Sequence, residues 1–196
     1  IPNMVVAAPM DEVELRNMMY TAAEIQSGPF SIRYPRGTGT IVDWRQPFKA
    51  IQIGQGRKLK SGDDIAILSI GAIGSQATDA IETLESRGVS AAHYDMRFVK
   101  PLDEIMLHEI FGKFNAVITI EDGCLMGGFG SAVTEFMGDN GYQAHVKRLG
   151  LGDHYVEHGT QDQLYAENNY DADAIVKAAE ELVSTSKANS QTIQSA

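Results

Sequence analysis

The sequence predicts an α/β fold, a three-layer αβα arrangement on a mostly parallel sheet, preceded by the closing strands and helix of another α/β domain. Three observations carry this. From Ile65 onward, short apolar runs alternate with stretches of helical periodicity. The run Ile65-Ala66-Ile67-Leu68-Ser69-Ile70 is continuously apolar but for one serine, as a strand covered on both faces should be. Residues 1–37 hold only two strand-like runs and one helical one, too little to cover both faces of a sheet.

Residues 4–9 read as a short buried strand ended by Pro9. Asp11 and Glu14 have the spacing of a capping box, and Leu15, Met18, Met19 and Ala22 follow at helical spacing, so 12–24 should be a helix. Gly28-Pro29 breaks it. Phe30 to Tyr34 is a second strand, which Pro35-Arg36-Gly37 ends. With few partners in view, 1–37 should be less stable than the main domain, 61–183. A strand beginning at Val5 in a chain that does not open on Met suggests an excision from something longer. Residues 38–60 read as a linker, with 55–60 pairing as a hairpin through 61–64 with the next strand.

The main domain should run as strand 65–70, helix 75–87 stopped by Gly88, strand 89–95, a helix opened by Pro101, strand 116–121, a helix entered through Gly127 to Gly130, strand 144–149 and a closing helix 172–183. The polar tail, 184–196, should be disordered.

The net charge of −10 argues against nucleic-acid or anionic-membrane partners, which need a positive field. No apolar run reaches the ~18 residues of a membrane span, and the first residues carry no secretory signal. A single cysteine, Cys124, excludes an internal disulfide and suits a reducing cytoplasm; no neighbouring His or Lys activates it, so a buried or inert thiol is expected.

Chemistry has four candidate places. Arg33-Tyr34-Pro35-Arg36-Gly37 puts two guanidinium groups at a strand end, where a planar fork suits phosphate, although on the residues alone a surface arginine lying over an edge strand is the more ordinary reading. Gly127-Gly128-Phe129-Gly130 enters a helix like a phosphate turn, yet Glu121 and Asp122 would repel a pyrophosphate, and close packing is the alternative. Gly71-Ala72-Ile73-Gly74 with Asp95 is an incomplete dinucleotide pattern. His154 and His158 have i, i+4 metal spacing, but the surrounding glycines favour a loop.

These motifs, together with Asp95-Met96-Arg97-Phe98-Val99-Lys100-Pro101-Leu102-Asp103 and Gly159-Thr160-Gln161, resemble the 1-deoxy-D-xylulose-5-phosphate synthase family from residue 1 to about 183. The resemblance implies a transketolase-like, thiamine-diphosphate and Mg2+-dependent transferase. It condenses pyruvate with D-glyceraldehyde 3-phosphate, releasing CO2, and feeds isoprenoid, thiamine and pyridoxal synthesis as a cytoplasmic homodimer. It implies that 1–37 end a pyrimidine-binding domain and that 61–183 are a transketolase-like C-terminal domain. Arg36 is then the contact to the aldehyde's phosphate. The family's metal-binding motif, activating Glu and catalytic histidines have no counterparts here, so this stretch alone should bind no cofactor and catalyse nothing. The alternatives are another transketolase or 2-oxo acid dehydrogenase relative, or a noncatalytic dimerisation or effector-binding module.

Overall fold

The structure is a computed structural model. It describes residues 1–24, 28–39 and 43–194, with side chains only to 186. In chain order the elements are β1 (Val5–Ala7), α1 (Glu12–Glu24), β2 (Phe30–Ile32), β3 (Arg57–Lys60), β4 (Ile65–Ile70), α2 (Gly74–Ser86), β5 (Ala91–Asp95), β6 (Phe98–Lys100), α3 (Glu104–Lys113), β7 (Ala116–Cys124), α4 (Phe129–Asp139), β8 (His145–Leu151), α5 (Gln161–Glu167) and α6 (Ala172–Gln194).

Five strands form the main sheet in the order β3-β5-β4-β7-β8. The β4-β5, β4-β7 and β7-β8 pairs are parallel. One face buries Ile65, Ile67, Ile118 and Ile120 under Ala77, Ile81 and Leu84 of α2 and Ile175 and Ala179 of α6. The other buries Ala66, Leu68, Tyr94 and Val117 under Leu107, Ile110 and Phe111 of α3 and Phe129, Val133 and Phe136 of α4. That is the expected three-layer αβα sheet. α2 ends as its sequence requires: Gly88 takes φ +79°, and its N–H and that of Val89 close on the carbonyls of Glu85 and Leu84.

Three expectations change. The hairpin from 55–60 does not form. β3 pairs antiparallel with β5, so Arg57 to Lys60 is an edge strand of the main sheet rather than linker. α6 continues to Gln194, so 184–194 are helical instead of a disordered tail, with the hydroxyls of Ser184 and Thr185 donating back to the Glu181 carbonyl. Residues 195–196 lie outside the described residues.

The third change concerns 1–37. β1 is the central strand of a second sheet, β2-β1-β6, parallel to β2 and antiparallel to β6. β6 lies in the middle of the main domain's sequence, so this sheet joins the two parts. Ala7, Met18, Ile51 and Phe98 bury together beneath it, with Val5, Phe30 and Ile32 packed against them. The segment before β3 is tied to the same place: Asn17 and Thr21 of α1 accept the backbone N–H groups of Lys49 and Ile51 at 2.9 and 2.8 Å.

A charge cluster locks the joint. Asp11 caps α1 by accepting the Glu14 N–H at 2.8 Å, as the capping spacing predicts. The Glu14 carboxylate is turned instead to two arginines, accepting from Arg97 Nε and Nη2 at 2.7 and 3.0 Å and from Arg57 Nη1 at 3.3 Å. Arg57 also donates to Asp95 at 2.9 Å and to Asp11 at 3.4 Å. Only 6% of the Glu14 side chain is exposed, so its removal leaves buried cations without full compensation. Glu14→Ala should cost about 3 kcal/mol in urea unfolding, with Glu14→Gln recovering a minority of it. A loss below about 1 kcal/mol would show the cluster to be ornamental.

Candidate functional site

The order β5-β4-β7 places the switch of winding direction between β4 and β7, whose carboxyl ends open the crevice where parallel α/β sheets take ligands. Here the chain itself occupies part of that crevice. Gly71, at φ +81°, directly follows β4, and a Cβ there would lie 3.3 Å from the Ala8 side chain. At Gly74 a Cβ would meet Met10 Sδ at 2.9 Å. These glycines admit residues 8–10, and they do not cradle a dinucleotide. Asp95 serves the same joint: it is fully buried against Arg57 and has no reach to a ribose.

At the end of β7 the second glycine turn is also explained. Both Glu121 oxygens accept backbone N–H groups at the start of α4, from Phe129 and Gly130, each at 2.8 Å. The protein's own carboxylate thus fills the anion position at this helix N-terminus. A Cβ on Gly128 would overlap the Cys124 carbonyl and the Glu121 carboxylate, so glycine is needed for that approach. Asp122, next in line, receives Arg33 at 3.6 Å and the Tyr170 hydroxyl at 3.3 Å. Cys124 is exposed, not buried.

The arginine motif separates into two roles. Arg33 continues from β2, donates its N–H to the Ala7 carbonyl at 2.8 Å and turns its side chain to Asp122. Arg36 is exposed, and among the described residues it has neither a hydrogen bond nor an ion pair, whereas every other arginine has a partner. Its neighbours Tyr34, Pro35 and Gly37 form one wall of a groove of about 530 Å³. Opposite stand Ala72, Ser75, Gln76 and Asp79 of the β4–α2 turn and α2, with Gln161, Asp162 and Tyr165 of α5. α5 escaped the sequence reading, although Thr160 and Gln163 form a complete capping box that could have announced it. His154 lies in a loop and contacts Asn168 at 2.9 Å; among the described residues no group of three His, Cys, Asp or Glu could hold a metal ion.

Beneath the joint, His93 contacts Ser69 Oγ at 2.8 Å, and both are buried. Burial, then the Arg57 charge, lower the His93 pKa to about 4. Burial raises the Asp95 carboxyl to about 6, against the opposing pull of Arg57. For Arg57 burial acts downward, but Asp95, Glu14 and Asp11 bring the net shift upward. The two large shifts work in opposite directions as pH falls. His93 stays neutral in the fold while the unfolded chain takes up protons below 6.5, so its contribution is lost between 6.5 and about 4. Asp95 takes up its proton in the fold first, so the fold gains relative stability from about 6 down to 3.8. His93→Gln removes only the first effect. Between pH 7 and pH 4 its stability, measured by denaturant unfolding against the parent, should therefore improve by about 3 kcal/mol. A pH-independent difference would contradict this.

Residues 54–175 match the family model for the transketolase C-terminal domain. The 1-deoxy-D-xylulose-5-phosphate synthase of Cytophaga hutchinsonii is 57% identical over 183 residues, covering 93% of this chain and 29% of the relative. That of Parabacteroides distasonis is 54% identical over 177 residues, 90% of this chain and 28% of the relative. The chain thus spans less than a third of the length of these curated relatives. A split-gene transketolase, described as an inactive beta4 tetramer, superimposes with a TM-score of 0.81 at 31% identity, over 94% of this chain and 59% of its own. A Pichia stipitis transketolase mutant gives 0.66 at 18% identity over 95% of this chain and 26% of its own, a likeness of fold alone. With the domain model, the strand order and the two covered faces in agreement, the chain belongs to the transketolase C-terminal domain family.

Proposed function

We propose that this chain works as the C-terminal part of a 1-deoxy-D-xylulose-5-phosphate synthase, in which Arg36 holds the phosphate of D-glyceraldehyde 3-phosphate during its condensation with pyruvate. The observation that carries the reading is the freedom of Arg36. In a chain of net charge −10, it is exposed in the bend beyond β2 and uncommitted to any described residue. The relatives at 57% and 54% identity, both synthases, give the reaction.

An arginine contributes to such a site by charge-assisted, often bidentate hydrogen bonds that fix the phosphate's orientation. Arg33 supports it from the same segment: with its side chain on Asp122 and its N–H on Ala7, the chain leaving β2 toward Arg36 is held at both sheets. The carboxylates of Asp79 and Asp162 would repel a phosphate from the groove itself, which agrees with a phosphate contact outside it, at Arg36.

Thiamine diphosphate, when bound, supplies the electron sink for the carbanion of such a reaction. The residues described here do not fit that group. The helix N-terminus at α4 is filled by Glu121, and among the described residues no three His, Cys, Asp or Glu side chains come together as a metal site. We assign both to the remainder of the longer enzyme, a cytoplasmic homodimer in this reading. Among the described residues no helix is long and apolar enough to cross a membrane, and the split-gene transketolase is described as a tetramer.

In the full-length enzyme, Arg36→Ala should lower kcat/KM for D-glyceraldehyde 3-phosphate by about 30–1000-fold, or about 2–4 kcal/mol. The pyruvate step should be nearly unchanged, and Arg36→Lys should recover part of the loss. Equal losses with an acceptor aldehyde lacking phosphate would make Arg36 a structural residue. Calorimetric titration of residues 1–196 with thiamine diphosphate and Mg2+ should show no binding; measurable binding would place the cofactor site within this chain.

A further inference from the structure

We propose that the groove between residues 34–39 and the α2 and α5 walls binds a small organic cation with an aromatic or apolar body. It does so independently of the phosphate role given to Arg36.

The groove's volume, about 530 Å³, suits a ligand of up to about 20 heavy atoms. Its lining is apolar and aromatic through Pro9, Met10, Tyr34 and Tyr165, and it contains no lysine, arginine or histidine. Tyr165 is buried, whereas Tyr34 is 58% exposed and presents its ring at the opening. Four acidic residues line the space, Asp11, Glu12, Asp79 on α2 and Asp162 in the first turn of α5, and Glu12 already has a partner. Among the described residues neither Asp79 nor Asp162 forms an ion pair or accepts a side-chain hydrogen bond. Asp11, also on the wall, is committed to Arg57 and to its helix cap. Arg33, whose charge also reaches Tyr165, is ion-paired with Asp122. Burial first, then the charge of Asp122 and to a smaller degree that of Asp162, push the Tyr165 phenol up to about 12, against the opposing charge of Arg33.

Such a space repels anions. Carboxylates offer charge-assisted hydrogen bonds to an ammonium or amidinium, and the tyrosine rings offer their faces. The recognised class is therefore a monocation or dication with a flat or apolar body, and the Gln161 amide oxygen can accept a further hydrogen bond from it, whereas that of Gln76 already accepts the Ala172 N–H at 3.0 Å.

The test uses residues 1–196 and three probes of nearly one shape that differ in charge: benzamidine, benzamide and benzoate. Benzamidine should bind with a millimolar dissociation constant, benzamide about 10-fold more weakly, and benzoate without detectable heat. The double variant Asp79→Asn/Asp162→Asn should lose about 10-fold in benzamidine affinity with an unaltered unfolding midpoint, and Tyr34→Ala should lose a smaller factor. Should the double variant unfold, moderate salt in the parent protein replaces it and should weaken benzamidine but not benzamide. Equal affinity for benzamidine and benzamide, undiminished binding in a folded double variant, or no benzamidine binding at about 50 mM would each overturn the proposal.

Discussion

Glu14 is the group on which the assembly depends. It stands on α1, in the first 37 residues, and accepts from Arg97 just beyond β5 and from Arg57 on β3. Three elements far apart in sequence are thereby fixed by one carboxylate, in surroundings that expose only 15% of the Arg97 side chain. Burying so many charges is costly, and an apolar substitute of the same shape could be as stable. What the cluster supplies is orientation: a bidentate arginine pair permits one geometry where apolar contact permits several. Phe98, fully buried against Ala7, Met18 and Ile51, adds the apolar contribution to the same joint.

That joint sets what the carboxyl ends of the main sheet can do. The crevice beside β4 is filled by residues 8–10, the helix start after β7 by Glu121, and the end of β5 by its ion pair with Arg57. Motifs that resemble phosphate turns are thus spent on holding the N-terminal segment and the chain's own carboxylates. The chemistry left outward is the rim: Arg36 on one side and the acidic, aromatic groove on the other.

Much of this was legible in the sequence where the signal is local. The helix at 12–24 and the strand at 65–70 coincide with their predicted bounds because capping, periodicity and apolar runs are read within a few residues. Pairing partners are not local. β6 is three residues long and has no strand signature, so neither the second sheet nor the support it gives to 1–37 is visible in the sequence. β3 precedes a turn that suggests a hairpin, yet it passes its neighbour in sequence to reach β5. Glu14 is visible as a capping residue, and nothing in its spacing announces two distant arginines. The phosphate role proposed for Arg36 rests on family resemblance; the structure adds that its guanidinium is uncommitted among the described residues, which spacing alone could not distinguish from Arg33.

The claim that the N-terminal segment and the main domain form one cooperative unit is tested most directly by native-state hydrogen exchange. The amides of Val5 and Ala8 donate to Pro29 and Arg97 at 2.9 Å, and β1 is paired on both edges. These amides should therefore exchange with an opening free energy within about 1 kcal/mol of those in β4 and β7, through global unfolding. Exchange of 5–8 at rates orders of magnitude faster, with 65–70 still protected, would show that the segment opens alone and that the charge cluster does not bind the two parts together.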